Sequence, residues 1–417
     1  MNENLHLKIR ENLVACRADQ FQFLSDLIKT PSEISPGDME PVVGLTVKAL
    51  KEMGFGVERH EVPSDLAAGS GLSNLTNLVV RHEFAAGPIV ALAAHGDTRK
   101  ATAGWTQDPF GAVIKNGTLY GLGAISKADL AVYAHALVAL RDARPDLSGT
   151  VELHFTFDCA QDGELGPGWL LKNGIVNPDY ALGSGCSYGI GTSAMGDLQL
   201  QVEITGTALS TAQAATRAAG GVVADALEAA VGVMAALYKA RDDIAKIRSD
   251  IPGIGSPSLV IGEIEGGERP DEAPGKVVFG LGRDLIPNET PAAVEAGLIR
   301  LIADAASQFD GVVCKISRVK LSPPMKAGPA TDKLSGILEG RAADVMGGPV
   351  WVYGVPYDPG SRHYAALGIP TVLYGAGPGT LEEAHAGGPD ERLVLDDLRK
   401  ATEVTALALA DFLKPAA

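Results

Sequence analysis

The first part of the chain shows the hydrophobic period of amphipathic helices. Apolar side chains recur at helical spacing over residues 7–29, which predicts a helix there. Pro31 and Pro36 interrupt the pattern, and a second helical stretch runs from about Pro41 to Met53. The chain is therefore expected to open with two helices joined by a proline-containing turn.

Two short apolar runs then predict strands that are covered on both faces. They are GPIVALAA at 87–94 and GTVELHFTF at 149–157. Residues 126–142 between them have the period of a helix, and GIPTVLYG at 368–375 predicts a further buried strand. Strands that alternate with helices indicate an α/β fold with a mostly parallel sheet flanked by helices.

A different order of elements begins at about Met195. It reads strand, long Ala-rich helix (220–240), strand, strand, helix (291–308), strand, which predicts a split βαβ pair and hence a ferredoxin-like α/β sandwich. Pro323 and Pro324 mark the return to the earlier pattern. The predicted domains are the first part of a larger domain at 1–194, an inserted domain at 195–322, and the second part of the larger domain at 323–417.

The composition is that of a globular protein. Of the 417 residues, 46% are hydrophobic and 21% are charged, and the length is sufficient for two cores. The first residues carry charges where a signal peptide needs an apolar run, and no run approaches the roughly 18 apolar residues of a membrane span. We therefore expect a soluble, cytoplasmic protein with no membrane partner.

The net charge and the cysteine spacing limit the classes of ligand and metal site that the sequence predicts. The formal net charge is −16, without clusters of Lys and Arg, which opposes binding to nucleic acid or anionic lipid. Cys16, Cys159, Cys186 and Cys314 lie far apart without paired spacing, so the sequence predicts neither a disulfide framework nor a thiolate zinc site. A small molecule is the expected substrate.

His95, Gly96 and Asp97 follow directly after the first buried strand. Ligands of open α/β sheets collect beyond the carboxyl ends of the strands. A His with an acid two residues later suits a metal ligand and the partner that orients it. The same spacing also fits an ordinary surface loop, and the motifs that follow favour the metal site.

Further glycine-rich motifs lie downstream. They are GWTQDPF at 104–110, NGTLYGLGA at 116–124 and GAGP at 375–378, followed by His385 and Glu391. In this order they resemble the motifs of the metallohydrolase family that contains aminoacylase, glutamate carboxypeptidase, succinyl-diaminopimelate desuccinylase and allantoate amidohydrolase. The resemblance covers nearly the whole chain.

The resemblance implies both a fold and a site. The fold would be zinc-exopeptidase-like, with the inserted ferredoxin-like sandwich as lid and dimerisation domain, so a homodimer is expected. His95 would be a metal ligand, and Asp97 would orient or tune the catalytic group. These roles are expectations that follow from the resemblance alone.

The sequence departs from the family at the metal-bridging acid. Family members place an Asp just after the Gly-x-Gly-Ala turn. Counting from Ala124 puts Ser126 there, and anchoring on Lys127 puts Ile125 there. Neither is a carboxylate. Asp129 is near, but three residues further along a predicted helix it points elsewhere unless the backbone is rearranged.

A second departure lies at the end of the strand at 149–157. The family pattern is Asp-Glu-Glu, with a general base followed by a metal ligand, and if Asp158 matches the Asp, the glutamates are replaced by Cys159 and Ala160. A rival alignment puts Asp162 and Glu164 on the motif. Cys159 could be a thiolate ligand or a nucleophile, although a Cys at a buried strand end is more often a packing residue.

Three other family positions are also changed. The next acidic ligand falls in Gly183–Tyr188, which supplies no carboxylate. The C-terminal His ligand would stand four residues before Glu391, at Gly387, and His385 is two positions early. The His that the family's lid lends to polarise the scissile carbonyl aligns with Ser210, a weaker donor.

Arg362 aligns with an Arg that holds the substrate carboxylate in the family, a role suited to its bidentate fork, although its spacing fits a surface loop equally well. His363 beside it is either a pocket residue or structural. Tyr188, Tyr357 and Asp358 are interpreted as pocket residues. The remaining histidines have no motif context and are interpreted as structural: His6, His60, His82, His135 and His154.

Two metal ions need a bridging anion, so the loss of carboxylates argues against a co-catalytic pair. The sequence predicts one divalent ion, Mn²⁺ or Zn²⁺, and a second metal is doubtful. The predicted ligands are His95, His385, Asp162 and Asp129, and the predicted catalytic residues are Asp97, Asp158, Glu164 and Ser210.

An unusual site suggests an unusual C–N bond. Divergent members of the family resemble aminohydrolases of aromatic amines such as 5-nitroanthranilate, from which water displaces ammonia. Such a substrate can chelate a metal ion through its amine and carboxylate and so needs fewer protein ligands. Hydrolytic deamination is the main prediction; the alternatives are a peptidase or N-acyl amino-acid amidohydrolase, and an inactive relative that binds a ligand.

Overall fold

The computed structural model describes residues 2–34, 37–159, 162–211, 224–356, 360–377, 380 and 382–415. The chain divides into two compact units. The first comprises Met1–Thr192, Lys326–Tyr353 and Asp358–Ala417, and the second comprises Ser193–Met325 and Gly354–Tyr357. The short stretch at 354–357 lies outside the predicted insert.

The helices of the described residues are α1 Asn2–Ala15, α2 Arg17–Lys29, α3 Glu40–Glu52, α4 Ser64–Gly69, α5 Ala128–Asp142, α6 Pro167–Lys172, α7 Ala226–Ile244, α8 Pro291–Ala306, α9 Pro329–Met346, α10 Arg362–Ala366 and α11 Leu395–Phe412. None of these helices is long and apolar enough to cross a membrane. The helix predicted at 7–29 is in fact two helices, because the backbone of Cys16 leaves the helical conformation between α1 and α2.

The strands of the same residues are β1 Gly37–Asp38, β2 Glu58–Glu61, β3 Leu72–Asn74, β4 Thr76–Ala85, β5 Ile89–His95, β6 Val113–Lys115, β7 Thr118–Tyr120, β8 Gly149–Thr156, β9 Tyr180–Gly183, β10 Gly189–Ala194, β11 Gly196–Thr205, β12 Leu209–Ser210, β13 Leu259–Gly266, β14 Glu272–Ala273, β15 Lys276–Leu285, β16 Val313–Ser322, β17 Trp351–Val355, β18 Thr371–Leu373 and β19 Arg392–Val394.

The first unit is built on an eight-stranded sheet with the order β17-β10-β18-β9-β5-β8-β4-β2. The four strands β18, β9, β5 and β8 are parallel to one another, whereas β4 runs antiparallel to β8, β2 antiparallel to β4, and β10 antiparallel to β18. The α/β class is confirmed, and the sheet is mixed, with a parallel centre. Alternation of exposed and partly buried side chains in the second half of β4 is typical of an antiparallel strand near a sheet edge.

The parallel centre determines where the functional loops begin. His95 at the end of β5 pairs with Thr156 at the end of β8, and Gly183 at the end of β9 pairs with both Ala93 and Leu373. The carboxyl ends of these four strands therefore lie along one edge of the sheet. This is the edge at which α/β folds bind ligands.

Helix α5 follows the Gly-x-Gly turn and packs inside the first unit against α11, α1 and α2. Its sequence ADLAVYAHALVAL is buried almost without interruption, as expected of a helix covered on all sides. His135 lies in its middle, where Nδ1 donates a hydrogen bond to the carbonyl of Ala131, one turn earlier. Burial lowers the pKa of His135 from 6.5 to about 4.

The buried imidazole predicts a pH-dependent stability. A lowered pKa means that the folded state favours neutral His135, so this contribution is complete above pH 6.5 and is lost as the pH falls through 4. We expect the free energy of unfolding to fall by about 3 kcal/mol from this residue over that range. Denaturant titrations between pH 4 and 7 should show the loss in wild type and in the partly buried control His60→Gln, and not in His135→Leu. Equal slopes in all three proteins would contradict the prediction.

The second unit contains a four-stranded antiparallel sheet with the order β13-β15-β11-β16. Helices α7 and α8 follow β11 and β15 and pack on one face, where alternate side chains of β11 (Leu198, Leu200, Val202 and Ile204) form the core with Phe279. This order of elements is a split βαβ pair. The predicted ferredoxin-like sandwich is confirmed.

Candidate active site

The candidate site lies at the carboxyl ends of β5 and β8. His95 is the last residue of β5, and Asp97 follows it by two positions, whereas Asp158 and Cys159 follow β8. Because the two strands are parallel and in register, the loops that leave them run side by side. Residues far apart in sequence therefore meet at this edge of the sheet.

Asp97 is the centre of this group. Its side chain is fully buried, and its Oδ1 accepts a hydrogen bond of 3.0 Å from the backbone N–H of Cys159. The same oxygen lies 3.2 Å from Nδ1 of His95. Asp97 thus contacts both the imidazole and the Cys159 backbone, and its orienting role stays a prediction.

His95 also forms a hydrogen bond with the thiol of Cys159. Burial alone would lower the pKa of His95, but the charges of Cys159 and Asp97 and their hydrogen bonds outweigh burial and raise the pKa well above 6.5. The side chain keeps 24% of its surface exposed. The imidazole is therefore the part of the group that a ligand in solvent can reach.

Asp158 is held by the loop that follows it. Its Oδ2 accepts hydrogen bonds from the backbone N–H groups of Leu165 (2.7 Å) and Gly166 (2.8 Å). No donor among the described residues bonds to Oδ1, which is buried. Burial, with the neighbouring charge of Asp97, raises the pKa of Asp158 to about 7. Near neutral pH this carboxyl group can hold a proton or release it.

Gly166 makes this loop possible. A Cβ at this position would overlap Oδ1 of Asp158 and would lie 2.9 Å from Cβ of Thr156. We expect Gly166→Ala to push the Asp158 carboxylate out of place and to lower the free energy of unfolding by about 1–3 kcal/mol. Gly69→Ala is the matched control, because a Cβ there meets nothing within 4 Å. Thermal unfolding of both variants tests this, and equal stabilities would contradict the predicted overlap.

Lys127 is a buried cation beside the same group. Its Nζ donates to the carbonyls of Leu27 (2.7 Å) and Thr30 (2.9 Å). Burial lowers its pKa to about 7, while the charges of Asp97 and Glu391 act in the opposite direction. The sequence interpretation used Lys127 only to align a motif and missed this position. The available signal was a single Lys in a mostly apolar stretch that also contains Ser126 and Asp129.

Glu391 fixes the Gly-x-Gly turn from the other side. Its carboxylate accepts hydrogen bonds from the backbone N–H groups of Ile125 (2.7 Å) and Gly387 (2.9 Å). By the resemblance, the family's bridging Asp falls at Ser126 or at Ile125, depending on the alignment. Glu391 therefore holds the turn at Ile125.

Asp129, a predicted metal ligand, accepts a hydrogen bond from a backbone N–H at each carboxylate oxygen. Its Oδ1 accepts a hydrogen bond from Ala376 N–H (2.7 Å), and its Oδ2 accepts one from Gly185 N–H (3.3 Å). Burial raises its pKa to about 7. The carboxylate joins the loops that follow β9 and β18, so the structure places it in a bracing position.

His385 and Asp162 are the two remaining predicted ligands besides His95 and Asp129. Both have left-handed backbones, with φ of 52° and 69°. His385 is exposed, and its Nδ1 donates to the carbonyl of Pro389 within its own loop. The carbonyl of Asp162 accepts hydrogen bonds from Arg362 Nη2 (2.8 Å) and His363 Nε2 (2.9 Å). Both residues are thus involved in the local structure of their loops.

Arg362, predicted to bind a substrate carboxylate, is buried at the start of α10. Its Nη2 donates to Oε1 of Glu164 at 3.1 Å as well as to the Asp162 carbonyl. Glu164, predicted as catalytic, is exposed and paired with this Arg. The structure therefore brings these two predicted site residues together as an ion pair.

Tyr188 lies in a separate depression of the first unit. Its hydroxyl donates to Oδ1 of Asp397 at 2.7 Å. Both line a cavity of about 470 Å³ together with Thr118, Tyr120, Glu383, Ala384, Arg392 and Val394. Ser210, the remaining predicted catalytic residue, is on β12 in the second unit. Ala160, Tyr357 and Asp358 lie outside the described residues.

A family model for Peptidase family M20/M25/M40 matches residues 91–411, which is more than half of the chain. The chain belongs to this family. The match includes the loops after β5 and β8 as well as the second unit.

Individual relatives agree with this assignment. The chain is 32% identical over 168 residues to the succinyl-diaminopimelate desuccinylase of Gluconacetobacter diazotrophicus, a match that covers 38% of this chain and 40% of that protein. Among solved structures, an M20 family metallo-carboxypeptidase from Sulfolobus solfataricus superimposes with a TM-score of 0.72 at 17% identity, covering 94% of this chain and 99% of that one.

A Bacillus subtilis protein described as a dinuclear metal-binding peptidase of the M20 family gives a TM-score of 0.66 at 17% identity, covering 96% of this chain and 99% of that one. At these identities the structural likeness establishes the fold. The chain spans about 40% of the length of the desuccinylase, so that enzyme's activity is not transferred by the match.

Membership of the family supports an enzyme and a divalent metal ion. The donors present do not fit such a site: within the described ranges, no three His, Cys, Asp or Glu side chains are grouped to hold a metal ion. Asp129 accepts two backbone N–H groups, and His385 donates to its own loop. The number and identity of any bound ion, and the predicted ligand set, stay predictions, and no step below uses a metal.

Proposed function

We propose that this chain hydrolyses the C–N bond of a small carboxylate-bearing amide, either an N-acyl amino acid or a short peptide. The family assignment and the desuccinylase and carboxypeptidase relatives support this substrate class. They favour it over deamination of an aromatic amine, which the depleted metal site first suggested. The proposed reaction adds water across an amide and releases a carboxylic acid and an amine.

The observation that carries this proposal is the group formed by His95, Asp97 and Asp158 at the ligand-binding edge of the sheet. His95 offers a partly exposed imidazole, oriented by a fully buried carboxylate. Asp158 has a pKa of about 7, so near neutral pH it can exchange a proton beside this imidazole. Side chains that can exchange protons at the reacting bond are what amide hydrolysis requires.

A substrate panel tests the proposal. The purified chain is incubated with N-succinyl, N-acetyl and N-formyl amino acids, with dipeptides, and with 5-nitroanthranilate. Mass spectrometry identifies the products, and a separate assay measures ammonia. We expect a free amine and a carboxylate from at least one amide, and at least a 100-fold loss in His95→Ala. His60→Ala, a second histidine of the same unit without motif context, is the matched control.

The outcomes separate the alternatives. Ammonia from nitroanthranilate without amide cleavage would replace the proposal with the aminohydrolase. No turnover of any compound, together with unchanged ligand binding in His95→Ala, would replace it with an inactive binding relative.

The assembly and location are further proposals. The resemblance of the inserted sandwich to a dimerisation domain supports a homodimer, and light scattering of the purified chain should give the mass of two copies; a monomer mass would contradict it. The four cysteines, all within the described residues, form no disulfide, which supports a cytoplasmic location.

A further inference from the structure

In the alignment that matches Asp158 with the family's Asp, Cys159 falls where the family places its general-base glutamate. Two contacts link it to the residues at the end of β5. Its backbone N–H donates to Oδ1 of Asp97 at 3.0 Å. Its thiol is hydrogen-bonded to the imidazole of His95. His95 is in turn bonded through Nδ1 to Oδ1 of the same Asp97. A thiol, an imidazole and a buried carboxylate are therefore joined in one chain of hydrogen bonds.

We propose that Cys159 is the nucleophile of this site, with His95 as its general base and Asp97 as the residue that positions the imidazole. The inference rests on the proposed amide hydrolysis and gives it a mechanism. It follows from an arrangement that activated nucleophiles require: a base in hydrogen-bond reach, oriented by a third group.

The environment of Cys159 differs from that of a packing cysteine. Packing cysteines are surrounded by apolar side chains, whereas this thiol meets an imidazole, and the backbone N–H of the same residue is bonded to the buried carboxylate of Asp97. His95 keeps part of its surface exposed, so a carbonyl group that approaches the imidazole also approaches the sulfur. The loop is fixed by the hydrogen bonds from Leu165 and Gly166 to Asp158, so the sulfur is held before substrate binds.

The proposed reaction has two steps, acylation of Cys159 and hydrolysis of the resulting thioester. The thiol proton passes to His95 as Sγ forms a bond to the acyl carbon; the C–N bond then breaks, and the amine leaves with the proton from His95. A thioester joins the acyl group to Cys159. Water then gives a proton to His95 and adds to the thioester carbon, and the C–S bond breaks. The sulfur regains its proton from His95, and the carboxylic acid is released.

An activated ester tests the nucleophile independently of the natural substrate. Wild-type chain mixed with p-nitrophenyl acetate should release a burst of one nitrophenolate per chain. The protein mass should rise by one acetyl group, which peptide mapping assigns to Cys159. Hydroxylamine should remove the acetyl group. Cys159→Ala should lower the burst rate at least 100-fold, and Cys16→Ala, a half-buried cysteine of the same unit, should keep it.

A second set of measurements tests whether the variants are folded and distinguishes the nucleophile from the proposed function. The circular dichroism spectrum and the melting temperature of Cys159→Ala must match those of wild type. If they do not, Cys159→Ser is used instead, because its hydroxyl preserves the hydrogen bond to His95. Cys159→Ser should also slow the burst. Acetylation of another residue, or an unchanged burst in the folded variant, would overturn the nucleophile. Amide hydrolysis that persists in Cys159→Ala would also overturn it and leave the proposed function standing. Acetylation of Cys159 without hydrolysis of any amide would leave the nucleophile and overturn the proposed function.

Discussion

Replacing His154 with leucine is expected to lower the free energy of unfolding by about 3–5 kcal/mol. His154 lies on β8 and is fully buried. Its Nε2 is 2.8 Å from Oε2 of Glu152, and its Nδ1 is 2.8 Å from the hydroxyl of Tyr364. Leucine has a similar size but bonds to neither group, so a buried carboxylate oxygen and a buried hydroxyl would be left unpaired.

The ion pair across the sheet increases this cost. Glu152 stands opposite Arg81 of β4, and its Oε1 accepts a 2.8 Å hydrogen bond from Arg81 Nε. Burial would raise the pKa of Glu152, but His154 and Arg81 together hold it below its ordinary value. The carboxylate therefore stays charged in the folded protein, and the loss of one partner leaves a buried charge that is only half compensated.

Chemical denaturation measures the effect. His82→Leu is the matched control: this histidine is on β4, half-buried, and has an edge contact with Phe84 at 4.6 Å. We expect it to cost less than about 1 kcal/mol. In the double variant with Glu152→Gln the two losses should be less than additive, because both act on one network. Equal costs in His154→Leu and His82→Leu would contradict the role of the network.

Replacing Asp97 with alanine is expected to lower kcat/KM for the amide substrate by about 10³-fold, mostly through kcat. The carboxylate is the common acceptor for the Cys159 backbone and the His95 imidazole. Alanine releases both, so the imidazole loses its orientation and the charge that stabilises its protonated form. Binding of substrate does not depend on this oxygen, so KM should change little.

The conservative variant distinguishes positioning from structure. Asp97→Asn keeps an oxygen that can accept from the Cys159 N–H but removes the charge, so we expect an activity between those of wild type and Asp97→Ala. Asp142→Ala, an exposed acid of the same unit, should retain full activity. Steady-state kinetics on the best substrate of the panel, with melting temperatures for each variant, provide the measurement. If kcat is unchanged in a folded Asp97→Ala, the positioning role is wrong.

Sequence patterns were sufficient for the fold and for part of the site. Periodicity gave the strands at 89–95 and 149–156 and the split βαβ order of the second unit. Parallel pairing then brings Asp97 and Asp158 to one edge of the sheet, so their meeting could be predicted. The antiparallel strands β2 and β4 could not be predicted, because the alternation of side-chain exposure that identifies such strands covers only half of β4.

Contacts that depend on loop conformation could not be predicted. Glu164 reaches Arg362 only because α10 places the guanidinium beside the loop that follows β8. His385 turns to its own loop because its backbone is left-handed. The hydrogen bond between Cys159 and His95 depends on a loop whose path requires Gly166, so sequence alone favoured the packing interpretation.

We expect the group His95, Asp97, Asp158 and Cys159, rather than a pair of metal ions, to carry amide hydrolysis in this M20 family fold. The most direct test is the amide hydrolysis rate after exhaustive dialysis against a chelator, with metal content measured on the same sample. We expect the rate to stay within about twofold of that of the untreated protein when the metal content is negligible. A rate that disappears on chelation and returns with Mn²⁺ or Zn²⁺ would contradict it.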